Sequence, residues 1–281
     1  MNKLLNVGCG LKLSSLGNWT NIDMGTHSSA NVIRCNLLDG FPCDSNDFDV
    51  VYHSQVLEHI PREKSTFFMA ECYRVLKPGG ILRVVVPDLE DIAITYLENL
   101  KLCRDDLSER NLVCYNWILM EMLDQSVRNY PGGSMKRYLE QLEPHQVAYI
   151  EDRIGRIGKS IINAKAAQKS PNISVTNSKD TLKAVARRLI DSIYPRMKEK
   201  RRRKLEQAEL EMIGRFRIGG EIHYWMYDLF GLTHLLAGIG FNKITKMGPN
   251  LSSIPQWQSY QLDTIDGLVC DPKSLFVEAV K

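Results

Sequence analysis

Two glycines and an aspartate near the start of the chain have the types and the spacing of a nucleotide-binding turn. The apolar run Leu4–Val7 leads into the turn Gly8–Gly10, and Asp23 ends a second apolar stretch 13 residues later. Glycines let a backbone approach a ligand closely, and a carboxylate accepts hydrogen bonds from two ribose hydroxyls. A dinucleotide fingerprint needs a third glycine, where Leu13 stands, and an acid about 20 residues further on. The spacing therefore favours a ribose-containing cofactor that is not a dinucleotide.

The elements that position this turn alternate between strands and helices, which is typical of a parallel α/β sheet. Apolar spacing predicts a helix over Arg62–Leu76, and the sequence KPGG at Lys77–Gly80 predicts a turn into the next strand. The α/β pattern returns after residue 218, with a helix predicted over Trp225–Gly240. The predicted strands are Leu4–Val7, Trp19–Ile22, Val32–Cys35, Phe48–Tyr52, Ile81–Val86, Lys243–Met247 and Ser274–Val280.

The middle of the chain, residues 99–218, differs in character from its flanks. It has helical periodicity, few strand signals, and 24 Lys and Arg against 15 Asp and Glu. We interpret it as a mostly helical insertion, with a loop predicted at Ser170–Ser178, where the sequence reads SPNISVTNS. The predicted organisation is a core of residues 1–98 and 219–281 and an insertion of residues 99–218.

Four stretches between Leu4 and Leu89 resemble, in order and in spacing, the class I S-adenosylmethionine-dependent methyltransferases, in particular their small-molecule type 11 group. They read LNVGCG, WTNIDM, CNLLDGFPCDSNDFDVVYHSQVLEHIP and YRVLKPGGILRVVVPDL. The resemblance implies an α/β fold with a Rossmann-like, seven-stranded, mostly parallel sheet and a large, mostly helical insertion after the fifth strand. It also implies S-adenosyl-L-methionine as the cofactor.

The same resemblance assigns residues to the cofactor site. Asp23 is implied as the acid that binds the ribose, whereas Asn6 and Asn36 stand where the family usually has acids. The amide oxygen of Asn36 can still accept a hydrogen bond from the adenine amino group. The family's first helix looks reduced to a loop. The implied cofactor-binding residues are Gly8, Cys9, Gly10, Asp23, Asn36, Leu37, His53 and Ser54, the last two following the fourth predicted strand.

Three residues are candidates for the chemistry of methyl transfer. The reaction is an in-line displacement that depends on alignment, and a hydroxyl acceptor benefits from a general base. His223 lies in GGEIHYWMYD, where the chain re-enters the core, and similar stretches occur in methyltransferases that resemble this chain in polysaccharide biosynthesis contexts. Asp88 follows the fifth strand, and His59 lies in the loop after the fourth. For each residue the alternative is a structural role.

A strongly basic run, Pro195–Lys204, has seven cations and one acid in ten residues. Such a run is compatible with a solvated helix face, with contact to an anionic acceptor such as a phosphorylated or nucleotide-linked sugar, and with RNA binding. Aromatic side chains for stacking on bases are missing from the run. The solvated face is the simplest interpretation, and the other two stay open.

Composition sets further limits. No apolar run reaches the roughly 18 residues of a membrane span, and the first strand-like run starts directly after Lys3, which predicts no secretion signal. Seven single cysteines without a C-x-x-C pair predict a reducing, cytoplasmic location and no structural zinc. We therefore expect no metal site.

The sequence thus predicts methylation of a small-molecule or glycan-like acceptor, above all O-methylation of a sugar or related metabolite. The alternative is an RNA-associated or regulatory binding protein on the same fold that uses the basic insertion. Two properties stay open at this stage: the acceptor atom, and whether the chain forms a homo-oligomer.

Overall fold

The computed structural model describes residues 3–25, 31–167 and 195–281; the loop predicted at Ser170–Ser178 lies outside these ranges. The strands are β1 (Leu4–Val7), β2 (Trp19–Asp23), β3 (Val32–Arg34), β4 (Phe48–Ser54), β5 (Leu76–Pro87), β6 (Asn242–Met247), β7 (Thr264–Ile265), β8 (Leu268–Val269) and β9 (Ser274–Val280). Seven of them form one sheet in the order β3-β2-β1-β4-β5-β9-β6, and β7 pairs with β8. The first five run parallel, and β9 lies antiparallel between β5 and β6. The predicted Rossmann-like, mostly parallel sheet is confirmed.

The fourth strand continues past its predicted end at Tyr52. His53 pairs with Val84 and Ser54 with Val85, so both residues belong to β4 rather than to the loop after it. The expectation that they follow the strand is wrong. These polar residues end the apolar pattern that marks a buried strand, although the backbone pairing continues.

The helices are α1 (Arg62–Val75), α2 (Leu89–Asp105), α3 (Glu109–Val127), α4 (Gly133–Gln141), α5 (Pro144–Val147), α6 (Arg156–Ala167), α7 (Pro195–Arg217) and α8 (Leu229–Ile239). Helix α8 begins four residues later than the sequence predicts. Tyr227 forms an isolated bridge with Asp88, which keeps the backbone before the helix extended. Asp228 then caps the helix by accepting a hydrogen bond from the Gly231 amide at 2.6 Å.

The two faces of the sheet are covered by different parts of the chain. One face packs against α1 and α8 through buried side chains that include Phe68 and Leu232. The other face is covered by the segment between β6 and β9, whose Trp257 and Leu262 pack on Tyr52 and its neighbours. A late segment therefore covers sheet surface close to β1, where the first helix of the family looks reduced to a loop.

A buried ionic network holds this covering segment on the sheet. Arg83 of β5 is fully buried and donates to Asp263 at 2.7 Å and to Glu278 at 2.8 Å. Asp263 also accepts from the Tyr52 hydroxyl at 2.7 Å and from the Trp257 indole at 3.1 Å. Because a buried charge is costly unless it is paired and hydrogen-bonded, this network fixes the segment in one position.

The helices after β5 build a second, smaller core. Its buried apolar members are Val113, Trp117, Leu139, Leu142, Ile150 and Ile154. Helix α2 begins at Leu89, so the predicted boundary between core and insertion falls inside this helix. The division into domains stays a prediction. Within the described ranges, no helix combines the length and the apolar content that a membrane crossing needs.

Candidate cofactor and acceptor site

The glycine turn lies at the carboxyl end of β1. Gly8 has φ +63° and Gly10 has φ +49°, a left-handed conformation that favours glycine. A Cβ on Gly8 would come within 2.6 Å of Val56 Cγ2, whereas nothing lies within 4 Å of a Cβ built on Gly10. The turn is therefore closed against Val56 and open at Gly10, which fits the approach of a ligand to its backbone.

Asp23 stands next to this turn, at the end of the neighbouring strand. Its Oδ2 accepts a hydrogen bond from the Gly10 amide at 2.8 Å, and its Oδ1 accepts one from the Gly25 amide at 2.6 Å. These bonds orient the carboxylate at the sheet edge where α/β folds bind ligands. Burial, followed by the nearby Asp23 charge, raises the pKa of the Cys9 thiol to about 12. Cys9 is thus a neutral packing residue and not a nucleophile.

A cleft of about 410 Å³ adjoins Asp23 and is lined by Met24, Arg34, Cys35 and Asn36. The Asn36 side chain is exposed and forms a turn: its Oδ1 accepts from the Leu38 amide at 3.1 Å, and its Nδ2 donates to Asp39 at 2.8 Å. Leu37 is buried in the core, so only its backbone is available to a ligand in this cleft. The cleft lies next to the end of β2, and the adenine-binding role of Asn36 stays a prediction.

His53 and Ser54 lie side by side in β4 but face different surroundings. His53 is fully buried, with its ring edge-on to Phe68 at 5.3 Å, and burial lowers the pKa of His53 to about 3. Neither ring nitrogen has a hydrogen-bond partner among the described residues. Ser54 instead accepts a hydrogen bond from Lys12 Nζ at 2.8 Å. Of the two, only Ser54 has a polar contact of its side chain, at the carboxyl end of β4.

Lys12 is a residue of this edge that the sequence did not single out. Its ammonium group also pairs with Asp271, from the segment before β9. Its backbone carbonyl accepts from Asn6 Nδ2 at 2.8 Å, and the same nitrogen donates to Asn21 at 3.0 Å. Asn6, which stands where the family usually has an acid, therefore holds the loop. No local signal predicts the partner of Lys12, because Asp271 lies 259 residues away.

Three further polar side chains meet beyond β4, and we call them the histidine cluster: Glu58, His59 and His223. Glu58 and His59 belong to a short 3-10 turn at Leu57–His59, and His223 comes from the re-entry segment before α8. The two imidazole rings lie 4.7 Å apart and nearly perpendicular. The amides of Tyr224 and Trp225 donate to the Glu58 carbonyl at 2.8 and 3.3 Å, which ties the two segments together.

Burial controls the charges of this cluster. Burial raises the pKa of the Glu58 carboxyl to about 8, so the group is mostly protonated at neutral pH. Burial also lowers the pKa of His59, and burial together with the His59 charge lowers the pKa of His223 well below its usual value. Both histidines are therefore neutral at pH 7. Both histidines were candidates from the sequence, but the sequence gave no signal that Glu58 is fully buried beside them.

Asp88 is buried, and its hydrogen bonds within the fold explain this burial without assigning the residue a catalytic role. Its Oδ1 caps α2 by accepting from the Glu90 amide at 3.1 Å, and its Oδ2 accepts from Lys246 Nζ at 3.1 Å. Its backbone forms the bridge to Tyr227. These contacts favour the structural alternative for this residue.

The basic run lies on α7. The side chains of residues 202–212 are exposed, and Arg202 and Arg203 pair with Glu199 of the same helix at 3.0 Å. Pairing within one helix agrees with a solvated face.

Comparison with known proteins identifies the first part of the chain. Residues 5–84 match the family model described as "Methyltransferase domain". Among solved structures, a SAM dependent methyltransferase from Archaeoglobus fulgidus is 10% identical, with 100% of this chain and 86% of that chain covered and a TM-score of 0.39. No curated protein matches the chain.

Two other solved structures match only in part. The cyclase SpnF is 26% identical over 30% of this chain and 38% of its own, with a TM-score of 0.26. A chain in the complex of the Haloferax volcanii Trm112 methyltransferase activator with its putative methyltransferase is 15% identical over 35% of this chain and 51% of its own, with a TM-score of 0.27. The match thus spans less than two thirds of both structures.

The family match covers β1 to β5, and β6 and β9 complete the sheet that they begin. The turn at Gly8–Gly10, the carboxylate of Asp23 and the adjoining cleft lie within the matched residues. Residues 5–84 therefore match a methyltransferase domain, and the sheet that they begin has a Rossmann-like, mostly parallel arrangement.

Proposed function

We propose that this chain transfers the methyl group of S-adenosylmethionine to a hydroxyl of a small-molecule or glycan-like acceptor, with sugars as the preferred class. One observation carries the proposal. The histidine cluster begins two residues after Val56, which packs on Gly8 of the glycine turn. A polar cluster with neutral histidines therefore adjoins the turn that receives the cofactor.

The described residues fit this cofactor. The open backbone at Gly10, the carboxylate of Asp23 and the cleft beside Asn36 are arranged along one edge of the sheet. S-adenosylmethionine supplies a methyl group on a positively charged sulfur. The buried, protonated thiol of Cys9 offers no competing nucleophile in the turn.

His223 is the residue that we propose as proton acceptor. As the bond between the acceptor oxygen and the methyl carbon forms, the bond between that carbon and sulfur breaks, and S-adenosylhomocysteine leaves. The hydroxyl proton passes to His223. The His59 ring is itself fixed, because its Nδ1 donates to the Ile222 carbonyl oxygen at 2.9 Å. We therefore assign His59 the role of positioning the neighbouring His223 ring.

The surroundings of the cluster suit a sugar. Tyr224 and Trp225 follow His223 and are exposed, and the Arg62 guanidinium lies 4.0 Å from the centre of the Trp225 ring. An aromatic face with a few polar groups beside it is typical of sites that bind small, partly polar molecules. The arginine also gives such a site affinity for an anionic acceptor, for example a phosphorylated sugar.

The helical insertion contributes the outer wall of the cluster. Gln125 of α3 contacts the His223 ring at 2.7 Å, and its carbonyl accepts from the His223 amide at 3.0 Å. Arg128 of the same helix end donates to Glu221 at 3.0 Å. These contacts support a role for the insertion in shaping the acceptor site and in keeping water out of it.

The test is an acceptor screen with S-adenosylhomocysteine formation as the readout. The panel holds neutral sugars, sugar phosphates, nucleotide-linked sugars and RNA. We expect turnover with a sugar class, and we expect His223→Ala to lower kcat by about 10²–10⁴-fold. His145→Ala, an exposed histidine paired with Glu109 at 3.2 Å, is the matched control and should leave kcat unchanged. Cofactor binding without turnover on any sugar would contradict the proposal.

The alternative is an RNA-associated or regulatory protein that uses the cations of α7. The exposure of residues 202–212 on this helix supports contact with a polyanion, and binding of RNA without methyl transfer to any acceptor of the panel would favour this alternative. We further propose a cytoplasmic location, because all seven cysteines are free.

A further inference from the structure

The histidine cluster has the composition and the spacing of a transition-metal site. Its two imidazoles and one carboxylate offer ligand atoms that all lie within 4.8 Å of one another. Donor atoms around a tetrahedral ion with bonds of about 2.0–2.1 Å stand about 3.4 Å apart. The three groups therefore need to approach one another by no more than about 1.4 Å, which small side-chain rotations can provide.

The carboxylate of Glu58 gives an independent indication of a ligand. The residue is 0% exposed, and neither side-chain oxygen has a hydrogen-bond partner in the part of the chain that the structure describes. Buried polar atoms in folded proteins are nearly always paired, because an unpaired one costs the full desolvation of the group. A cation held between Glu58 and the two histidines would supply the missing partner for these oxygens.

The hydrogen bonds of the two histidines decide which ring nitrogens have a lone pair for such an ion. The Ile222 carbonyl, 2.9 Å from His59 Nδ1, can only accept, so Nδ1 carries the proton and Nε2 keeps its lone pair. His223 Nε2 lies 2.7 Å from Gln125 Nε2, so in this arrangement the amide donates, Nε2 accepts and Nδ1 carries the ring proton. For an ion to bind at Nδ1 the Gln125 amide must turn over, so that His223 donates from Nε2 to the amide oxygen and keeps the lone pair on Nδ1. Histidines that bind metals usually donate their other N–H in this way.

Backbone hydrogen bonds fix the three ligands relative to one another. The carbonyl of Glu58 accepts from the amides of Tyr224 and Trp225, and the amide of His223 donates to the Gln125 carbonyl at 3.0 Å. The 3-10 turn after β4, the re-entry segment and α3 are thus held together at the cluster. A site organised in this way needs little rearrangement to bind an ion.

We propose that Glu58, His59 and His223 bind one divalent first-row transition ion, with Zn²⁺ the ion best matched to two imidazoles and a carboxylate. This departs from our sequence-based expectation of no metal. That expectation rested on cysteine spacing, whereas this ligand set is split between residues 58–59 and residue 223 and contains no cysteine.

Such an ion has a chemical use at this position. Three protein ligands leave a coordination position open, as in catalytic zinc sites, and an ion there would polarise an acceptor hydroxyl and favour loss of its proton. In the ion-bound protein His223 would act as a ligand, and the hydroxyl proton would pass to water instead of to His223. This use rests on the proposed function, but the binding of the ion does not.

The experiment measures metal binding by the full chain without cofactor or acceptor. The protein is freed of metal with a chelator and titrated with Zn²⁺ by calorimetry, and Co²⁺ is used in parallel for its visible absorption. We expect one ion per chain. The titration contains no methyl donor, so its result does not depend on the proposed function. Zn²⁺ binding here together with no sugar turnover in the acceptor screen would refute the proposed function alone. Turnover by metal-free protein that binds no Zn²⁺ would refute the metal site alone.

Two variants and one spectrum locate the ion. Glu58→Gln and His223→Ala should each weaken Zn²⁺ binding by at least about 100-fold, whereas His145→Ala in the exposed pair with Glu109 should not. Equal affinities in all three would overturn the site. X-ray absorption of the zinc-loaded wild-type chain identifies the ligand atoms directly, so its result does not depend on whether the variants fold. Nitrogen and oxygen ligands at about 2.0–2.1 Å would support the site, and sulfur ligands at about 2.3 Å would assign the ion to cysteines and overturn it.

Discussion

His53 makes the stability of this protein depend on pH in a way that one substitution should remove. The residue is fully buried against Phe68, and burial lowers its pKa to about 3, from 6.5. Between these two values the unfolded chain binds a proton that the folded chain excludes. The folded state is therefore favoured above about pH 6.5 and loses stability as the pH falls toward 3.

The size of the effect follows from the shift. Each pH unit inside this window is worth about 1.4 kcal/mol, so lowering the pH from 7 to 5 should remove about 2 kcal/mol of stability through His53. His53→Leu has no group to titrate and should lack this component. At pH 7 we expect the variant to be at least as stable as the wild type, because it removes two buried nitrogens that have no partner among the described residues.

The assay is urea unfolding of the wild type and of His53→Leu at pH 7 and pH 5. Other groups also titrate, but they are common to both proteins and cancel in the comparison. The loss of stability between the two pH values should be about 2 kcal/mol smaller in the variant. His234→Leu, at an exposed histidine of α8, is the control and should behave as the wild type. Equal losses in wild type and His53→Leu would refute the reasoning.

Two further predictions concern stability. Gly8→Ala should lower the free energy of unfolding in urea by about 1–3 kcal/mol more than Gly10→Ala does. Both glycines have a left-handed backbone, but only a Cβ at Gly8 would meet Val56, at 2.6 Å. Equal losses in the two variants would show that this contact relaxes freely. Asp263→Ala should cost about 3–5 kcal/mol because it removes a partner of the buried Arg83, and a loss below about 1 kcal/mol would contradict the role given to this network.

The sheet was predictable because its strands have a local signal. A buried parallel strand is a short apolar run, and β1 and β9 begin and end where such runs do. The end of β4 was not predictable in this way. His53 and Ser54 are polar, and their pairing with β5 depends on residues some thirty positions later.

The second face of the sheet shows what local patterns cannot give. The segment that covers it contains two short 2-residue strands and a 3-10 turn, none of which has a strong periodicity. It is held by Asp263, whose partner Arg83 lies 180 residues earlier. An arginine inside an apolar strand is a signal that some acid must meet it, but the sequence does not say which one.

The candidate site also has one part that could be predicted from local sequence and one part that could not. The glycine turn and Asp23 are close in sequence, and parallel pairing of neighbouring strands brings them together. The histidine cluster joins residues 58–59 to residue 223, so its geometry depends on the fold of the insertion between them. His59 and His223 could be named from their surroundings in sequence. Their contact with each other and the burial of Glu58 could not.

The most direct test of the account is calorimetric titration of the purified chain with S-adenosylmethionine, S-adenosylhomocysteine and NAD. We expect micromolar binding of the first two and none of NAD, since Leu13 replaces the third glycine of a dinucleotide fingerprint. Asp23→Ala should abolish binding, and Asp44→Ala, at an exposed acid in the loop before β4, should not. Failure of the wild-type chain to bind either sulfur compound, or unchanged binding in Asp23→Ala, would contradict the assignment of the cofactor to this turn.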